Sequence, residues 1–193
     1  MTPTPSRQSY SSLALRSVEE RLVSDKSMQV FDLGRASGAN IEFYSKFARN
    51  IYVEDLLWTV VQERESQPVK AEGLFKRLTS VPEQARFDLI CCWDVLNYLA
   101  PAELLEVGQF LKHFSHEKTL LFMLTHNRAV MPDTPSVYKI QKDTCIIYEV
   151  SSDGTVPSPG YSKRQLDQLL PGFKRTRSVL LRSGMEEQLY SLR

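Results

Sequence analysis

Short, continuous apolar runs occur along the chain, separated by stretches in which apolar residues recur at helical spacing. Continuous runs are typical of strands covered on both faces, whereas a period near 3.6 residues is typical of amphipathic helices. The runs predict strands at Met28–Leu33, Ile51–Glu54, Phe87–Trp93 and Thr119–Leu124. The helical spacing predicts helices at Ser12–Val23, Ala39–Arg49, Leu56–Glu65, Pro101–Leu111 and Ser162–Leu170. Strands that alternate with helices predict a parallel sheet with helices on both faces.

The remaining parts of the chain follow other patterns. Residues 1 to about 10 are rich in Ser, Thr and Pro, which predicts disorder. Residues 66–86 are ambiguous, with Val69–Phe75 a candidate strand. In the last third, four short runs predict two antiparallel pairs, at Tyr138–Ile140 with Thr144–Val150 and at Ser178–Leu181 with Gln188–Leu192.

Composition narrows the class of protein. The 24 basic and 23 acidic residues leave a formal net charge of +1, which gives no electrostatic case for binding nucleic acid or a membrane surface. No apolar run is long enough to span a bilayer, and the N-terminal residues lack the apolar core of a signal peptide, so we expect a cytoplasmic location. The three cysteines fit neither a zinc site nor a disulfide framework, and no metal is predicted.

The segment after the first predicted strand carries the clearest chemical signal. Asp32, Gly34, Ala36 and Gly38 form a glycine-marked turn between that strand and the next helix. Glycine has no side chain, so the backbone of such a turn can approach a ligand closely. The following strand ends at Glu54, and a carboxylate there can accept hydrogen bonds from both hydroxyls of a ribose. Together these features predict a pocket for a nucleoside-containing ligand.

Four features together resemble the class I S-adenosylmethionine-dependent methyltransferases. They are the turn Phe31–Gly38, the acid Glu54, the fourth-strand run and turn Phe87–Leu99, and the C-terminal stretch from Tyr161 to Tyr190. The resemblance covers roughly residues 28–193. It implies a three-layer α/β sandwich with a seven-stranded, mostly parallel sheet and a reversed C-terminal β-hairpin.

The resemblance also implies a division of the chain. Residues 1–27 form an N-terminal tail with a short helix, and residues 28–193 form the methyltransferase-like domain. Within that domain, residues 129–160 contain the predicted hairpin at Tyr138–Val150 and are expected to form a flap on the substrate side. Substrate selection in such folds lies in loops and insertions, so this flap is expected to border the acceptor.

S-adenosylmethionine is the implied cofactor, and S-adenosylhomocysteine is the implied product. Carried over by position, the turn under the methionine part of the cofactor consists of Asp32, Gly34, Ala36 and Gly38. Glu54 would bind the ribose, or Asp55 if the register differs by one. The sequence departs from the family in two places, because Ala36 replaces the middle glycine of the turn and no aspartate lies between Leu74 and Pro82.

Polar residues after the fourth and fifth strands are further candidates. Asp94 is expected to contact the amino-acid end of the cofactor, and Asn97 and Tyr98 the substrate, although Asp and Asn also cap nearby turns. His126 is the candidate for proton transfer, because histidine titrates near neutral pH; the alternative is a solvated loop histidine. Trp93 is expected either to cover the adenine or to belong to the core. The methyl acceptor is an unidentified small molecule or protein.

Two other functions compete for the same residues. A nicotinamide-dependent dehydrogenase also places an acid about twenty residues after a glycine turn, but its fingerprint is Gly-x-Gly-x-x-Gly. This chain offers only Gly34 and Gly38, with three residues between them, and the terminal antiparallel pair also favours the methyltransferase. The second alternative is a non-catalytic, methyltransferase-like binding or scaffold protein, for which Ala36 is the main argument.

Overall fold

The computed structural model describes residues 6–22, 26–58, 81–150 and 152–192. Within these residues the helices are α1 (Leu13–Leu22), α2 (Gly38–Tyr44), α3 (Pro101–His113) and α4 (Lys163–Leu169). The strands are β1 (Ser6–Ser11), β2 (Met28–Asp32), β3 (Ala48–Val53), β4 (Phe87–Cys91), β5 (Ser115–His126), β6 (Val130–Pro132), β7 (Val137–Ile140), β8 (Cys145–Val150), β9 (Thr155–Pro157), β10 (Phe173–Leu180) and β11 (Met185–Leu192). None of the helices in the described residues has the length and apolar character that crossing a membrane requires.

Six strands form the main sheet of the described residues, in the order β10-β11-β5-β4-β2-β3. The strands β3, β2, β4 and β5 pair in parallel, with Val30 of β2 opposite both Ile51 and Leu89. β11 is antiparallel to both β5 and β10, so the chain ends in a reversed hairpin. The sheet is therefore mixed. The predicted count of seven strands is not confirmed, and the candidate strand Val69–Phe75 lies outside the described residues.

The alternation of side chains along β4 shows why the sheet is covered on both faces. Ile90 and Cys92 belong to the hydrophobic core on one face, and Leu89 and Cys91 belong to the core on the other. The first face packs against α3 and α4. The second face packs against α1, α2 and a small sheet of order β1-β8-β7. The sheet therefore lies between two layers, of which the second is part helix and part sheet.

Several predicted boundaries differ from those of the structure. The helix predicted at Ala39–Arg49 ends at Tyr44, because the chain turns and enters β3 at Ala48. The strand predicted at Thr119–Leu124 extends in both directions to form β5. Residues 56–58 are helical, and the rest of the helix predicted at Leu56–Glu65 lies outside the described residues.

The disorder predicted for residues 1 to about 10 is wrong for residues 6–10, which lie in β1. β1 pairs antiparallel with β8 along its whole length, from Ser6 opposite Val150 to Ser11 opposite Cys145. Serine-rich composition misled the prediction, because the hydrogen bonds of a strand come from the backbone. After β1, helix α1 buries Leu15 completely against the main sheet.

The burial of α1 predicts how its leucines contribute to stability. Leu15→Ala should lower the free energy of unfolding by about 2–5 kcal/mol, because it removes a fully buried side chain and leaves a cavity. Leu13→Ala is the matched control in the same helix. Leu13 is 42% exposed, so its replacement should cost less than about 1 kcal/mol. Urea denaturation measures both, and equal losses would contradict the packing of α1.

Candidate functional site

A buried carboxylate organises the turn after β2. Asp32 is 1% exposed, and its oxygens accept three hydrogen bonds. Oδ1 accepts from the Gly34 amide at 2.9 Å and from Trp93 Nε1 at 2.7 Å, and Oδ2 accepts from the Tyr44 hydroxyl at 2.8 Å. Burial raises the pKa of Asp32, although these hydrogen bonds act in the opposite direction. Asp32 therefore ties the turn to α2 and to the segment after β4.

The indole of Trp93 lies directly against Gly34. A Cβ atom at residue 34 would come within 2.4 Å of Trp93 Cδ1, so only glycine leaves room for the ring. The indole also stacks on the Tyr138 ring, with centroids 5.1 Å apart and 8° between the planes. Trp93 has a φ of 49°, which is uncommon for a residue with a side chain. Trp93 is buried and belongs to the hydrophobic core, and it also lines the cavity described below. Its ring is the reason that position 34 requires glycine.

Ala36 and Gly38, the other two residues of the turn, show no comparable steric requirement for glycine. Ala36 is exposed, and it is not among the described residues with a left-handed backbone. The alanine that replaces the family's middle glycine is therefore compatible with this turn. Gly38 is also exposed and begins α2, and a Cβ built on it would meet no atom within 4 Å.

A first cavity of about 310 Å³ opens at the carboxyl ends of β2, β3 and β4. Gly34, Asp55, Trp58 and Asp94 line it, together with residues 134–138, which lead into β7. Its volume lies near the lower end of the range for small-molecule sites, about 300–1,000 Å³. Among the described residues that line it, the acid after β3 is Asp55 rather than Glu54. Asp55 is the second of the two candidate ribose ligands that the sequence predicts.

A second cavity has a volume of about 540 Å³. It is bounded by β6, β8 and β9, by the end of β5 and by the turn between β10 and β11. Among the described residues that line it, those with charged or titratable side chains are His126, Arg128, Tyr148, Asp153 and Arg182. Ser136 lines both cavities, so the two meet at that residue.

Asp94 and His126 form a buried pair between the cavities. Asp94 is completely buried, and its Oδ2 accepts a hydrogen bond from the Ser136 amide at 3.2 Å. His126 Nε2 lies 3.8 Å from the same oxygen, and the His126 side chain is 10% exposed. That separation is too long for a hydrogen bond. Both Asp94 Oδ1 and His126 Nε2 are buried without a hydrogen-bond partner among the described residues.

The predicted substrate residues Asn97 and Tyr98 instead connect parts of the backbone. The Asn97 amide donates to the carbonyls of Asp94 and Leu124, at 2.7 and 2.9 Å, and its oxygen accepts from the His126 amide. The Tyr98 hydroxyl donates to the carbonyl of Pro132 in β6. Neither residue is among the described residues that line the two cavities. Their contacts hold the end of β5 and the strand β6 in place.

The structure thus brings Gly34, Asp55 and Asp94 together at the first cavity, and His126 at the second. Sequence reasoning missed Arg182, since no local pattern distinguishes it from other surface arginines. It also left Trp93 undecided between two roles. In the described residues, no group of three or more His, Cys, Asp or Glu side chains is placed to hold a metal ion.

Neither a scan of protein-family models nor a search of curated proteins finds a match to the chain. Solved structures do resemble it. An S-adenosylmethionine-dependent methyltransferase from Clostridium acetobutylicum matches with a TM-score of 0.54 and 16% identity, over 92% of this chain and 88% of that one. The glycopeptide N-methyltransferase MtfA matches with a TM-score of 0.51 and 10% identity, over 95% and 92%. The CcbJ methyltransferase from Streptomyces caelestis matches with a TM-score of 0.50 and 10% identity, over 93% and 88%.

The chain has the fold of the S-adenosylmethionine-dependent methyltransferases. The methyltransferase fold accounts for the position of the first cavity. Parallel strands direct their carboxyl ends to one edge of the sheet, and open α/β sheets bind ligands at that edge. The turn after β2, the acids after β3 and Asp94 after β4 all lie there.

The contact between Gly34 and Trp93 predicts opposite behaviour for two glycines of one turn. Gly34→Ala should lower the free energy of unfolding by about 1–3 kcal/mol, because the new methyl group displaces the indole. Gly38→Ala is the matched control and should be neutral or stabilising by up to about 1 kcal/mol, because its Cβ enters open space at the start of a helix. Thermal unfolding of both variants measures this. A loss in Gly38→Ala as large as that in Gly34→Ala would refute the steric explanation.

Asp32 also predicts a pH dependence of stability. Its pKa in the folded protein is raised above the ordinary value of 3.8, so the folded state retains a proton that the unfolded state has lost. Its contribution to the free energy of unfolding therefore falls as the pH rises from 3.8 through the folded pKa, and it is constant above. Asp32→Asn removes this titration. The stability of the wild type minus that of the variant should decline over this range, and a constant or rising difference would contradict it.

Proposed function

We propose that the protein transfers a methyl group from S-adenosylmethionine to an acceptor. The observation that carries this proposal is the carboxylate of Asp94, which is completely buried, lines the first cavity and has no partner for Oδ1 among the described residues. A buried charge is costly unless it is paired. S-adenosylmethionine carries an ammonium and a sulfonium group, and either would complement this oxygen. Gly34 lines the same cavity at the turn that the family uses for this cofactor.

The other residues of the first cavity fit the remaining parts of the cofactor. Asp55 follows β3 and lines the cavity, so its carboxylate would accept hydrogen bonds from the ribose hydroxyls. Glu54, which sequence reasoning favours, is one residue closer to the strand and is the alternative ligand. Trp58 also lines the cavity and is 64% exposed, so its indole would offer a stacking surface to the adenine.

When bound, S-adenosylmethionine supplies a methyl group on a sulfonium sulfur; the acceptor's lone pair forms the new bond to carbon, and sulfur keeps the pair of the broken bond. The protein therefore mainly brings the two reactants together. Ser136 lies where the two cavities meet, which is where the acceptor atom would be oriented. His126 would take the acceptor's proton at Nε2, and Asp94, 3.8 Å away, would stabilise the resulting imidazolium.

The segment 129–160 would act as the acceptor-side flap that the sequence predicts. It supplies residues 134–138 to the first cavity, and β6, β8 and β9 to the second. Two hydrogen bonds attach it to the residues after β4, from the Ser136 amide to Asp94 and from Tyr98 to the Pro132 carbonyl. The flap would thus exclude water from the place where donor and acceptor meet.

One observation also favours the alternative, a non-catalytic methyltransferase-like protein. The indole of Trp93 occupies the space next to Gly34, the glycine at which the family's cofactor approaches the backbone. If this ring closes the site, the fold is retained without cofactor binding. Direct measurement of binding separates the two functions.

Isothermal titration calorimetry with S-adenosylhomocysteine should show one site per chain. Asp55→Asn should weaken binding by about tenfold or more, since it removes a charged acceptor of hydrogen bonds from the ribose. The variant keeps an oxygen that can accept the Trp58 amide hydrogen bond that Asp55 Oδ1 now accepts. Glu54→Gln is the matched control, and it should change the affinity by less than about threefold.

The outcomes of this titration are distinct. Absence of binding at millimolar ligand would exclude the methyltransferase and favour the non-catalytic alternative. A large loss in Glu54→Gln with none in Asp55→Asn would restore Glu54 as the ribose ligand and overturn the geometric assignment.

A further inference from the structure

The second cavity carries more positive than negative charge. Arg128 follows the end of β5, and Arg182 lies in the turn between β10 and β11. Both side chains are exposed and line the cavity, and no ion pair to either is seen within the described residues. Asp153 is the single carboxylate among the described lining residues. Two guanidinium groups on one cavity are suited to an anionic ligand, because their planar donors match carboxylate and phosphate oxygens.

The position of Arg128 is fixed by the turn that carries Arg182. The Arg128 side chain lies across Gly184, where a Cβ atom would come within 2.4 Å of Arg128 Nε. Gly184 has a φ of 86°, so both its backbone and the contact require glycine. The Asn127 amide donates to the Gly184 carbonyl at 3.1 Å and keeps the two segments together. The arginines are thus presented by a packed hairpin turn.

An independent observation points to a ligand in the same cavity. The side chain of His126 is nine-tenths buried, lines this cavity, and has no hydrogen-bond partner for Nε2 among the described residues. The carboxylate of Asp94, 3.8 Å away, is too distant to accept a hydrogen bond from it. Buried polar atoms in native proteins usually have a hydrogen-bond partner. Ser136 connects this cavity to the first one. A molecule held here would therefore face the methyl donor's cavity.

We propose that the second cavity binds the methyl acceptor, and that the acceptor is a small molecule with a carboxylate or phosphate group held by Arg128 and Arg182. This inference rests on the proposed function, since it names the substrate class of that reaction. The anionic group lies at the outer, arginine-lined part of the cavity, and the atom to be methylated lies at the inner part, near Ser136 and His126. Among the described lining residues Asp153 is the one carboxylate, and its repulsion of an anion is outweighed by the attraction of the two arginines.

The probes are phenyl phosphate and benzoate, with benzyl alcohol as the neutral analogue, titrated into the full chain without cofactor and followed by NMR. Both anions should shift the NMR signals of His126 and of the arginine Nε–H groups. The anion with the lower dissociation constant shows whether the cavity prefers phosphate or carboxylate. Arg128→Gln and Arg182→Gln should each raise the dissociation constant about tenfold, the scale of one charge-assisted hydrogen bond. Arg164→Gln, an exposed arginine on α4 and outside the cavity lining, is the matched control and should leave it unchanged.

Several results would overturn the assignment. Benzyl alcohol binding as tightly as the anions would exclude recognition by charge, and an equal loss in Arg164→Gln would show non-specific attraction. If S-adenosylhomocysteine binds and neither anion does, the anionic acceptor is excluded while the proposed function stands. If the anions bind and S-adenosylhomocysteine does not, the proposed function fails, and the acceptor role fails with it. Arg128→Lys should bind the anions more tightly than Arg128→Gln but less tightly than the wild type, because lysine keeps the charge and lacks the planar donors.

Discussion

The carboxylate of Asp32 is the group on which the geometry of the site depends. A buried carboxylate must be hydrogen-bonded, and its three donors come from the turn after β2, from α2 and from the segment after β4. The indole of Trp93 also stacks on the ring of Tyr138, which connects Asp32 to β7. One anionic group therefore fixes the relative positions of the sheet, one helix and the flap. The first cavity lies between these parts, so its walls are set before any ligand arrives.

In the proposed reaction, the two neighbouring cavities would hold the donor and the acceptor separately. The first combines a glycine turn, an acid after β3 and the buried Asp94, a set suited to a cationic nucleoside. The second combines two arginines with a buried histidine, a set suited to an anion. The different charges that line the two cavities would separate the proposed ligands and give each a defined orientation. Asp94 and His126 lie at the boundary, where a proton would leave the acceptor.

The elements that sequence reasoning predicted correctly are those whose signal is local. The apolar run that became β4 and the helix that begins at Pro101 need only their own residues to be recognised. The role of Trp93 was undecided because it depends on which ring fills the space above Gly34, and that is a tertiary contact. Glu54 and Asp55 are adjacent, so choosing between them requires the end of β3 to be known exactly. A sequence pattern locates the end of a strand only to within one or two residues. β1 was missed because its partner lies far away in the sequence.

The pairing of β1 with β8 has a consequence for biosynthesis. The Gln8 side chain accepts a hydrogen bond from the Tyr148 hydroxyl across 140 residues of sequence. At translation rates of about 5–20 residues per second, the ribosome needs roughly 7–28 s to make the intervening chain. During that time the first strand has no edge to join. The small sheet that carries the flap is therefore completed only after β2 to β5 have been synthesised, so the flap acquires its final form later than the strands that it covers.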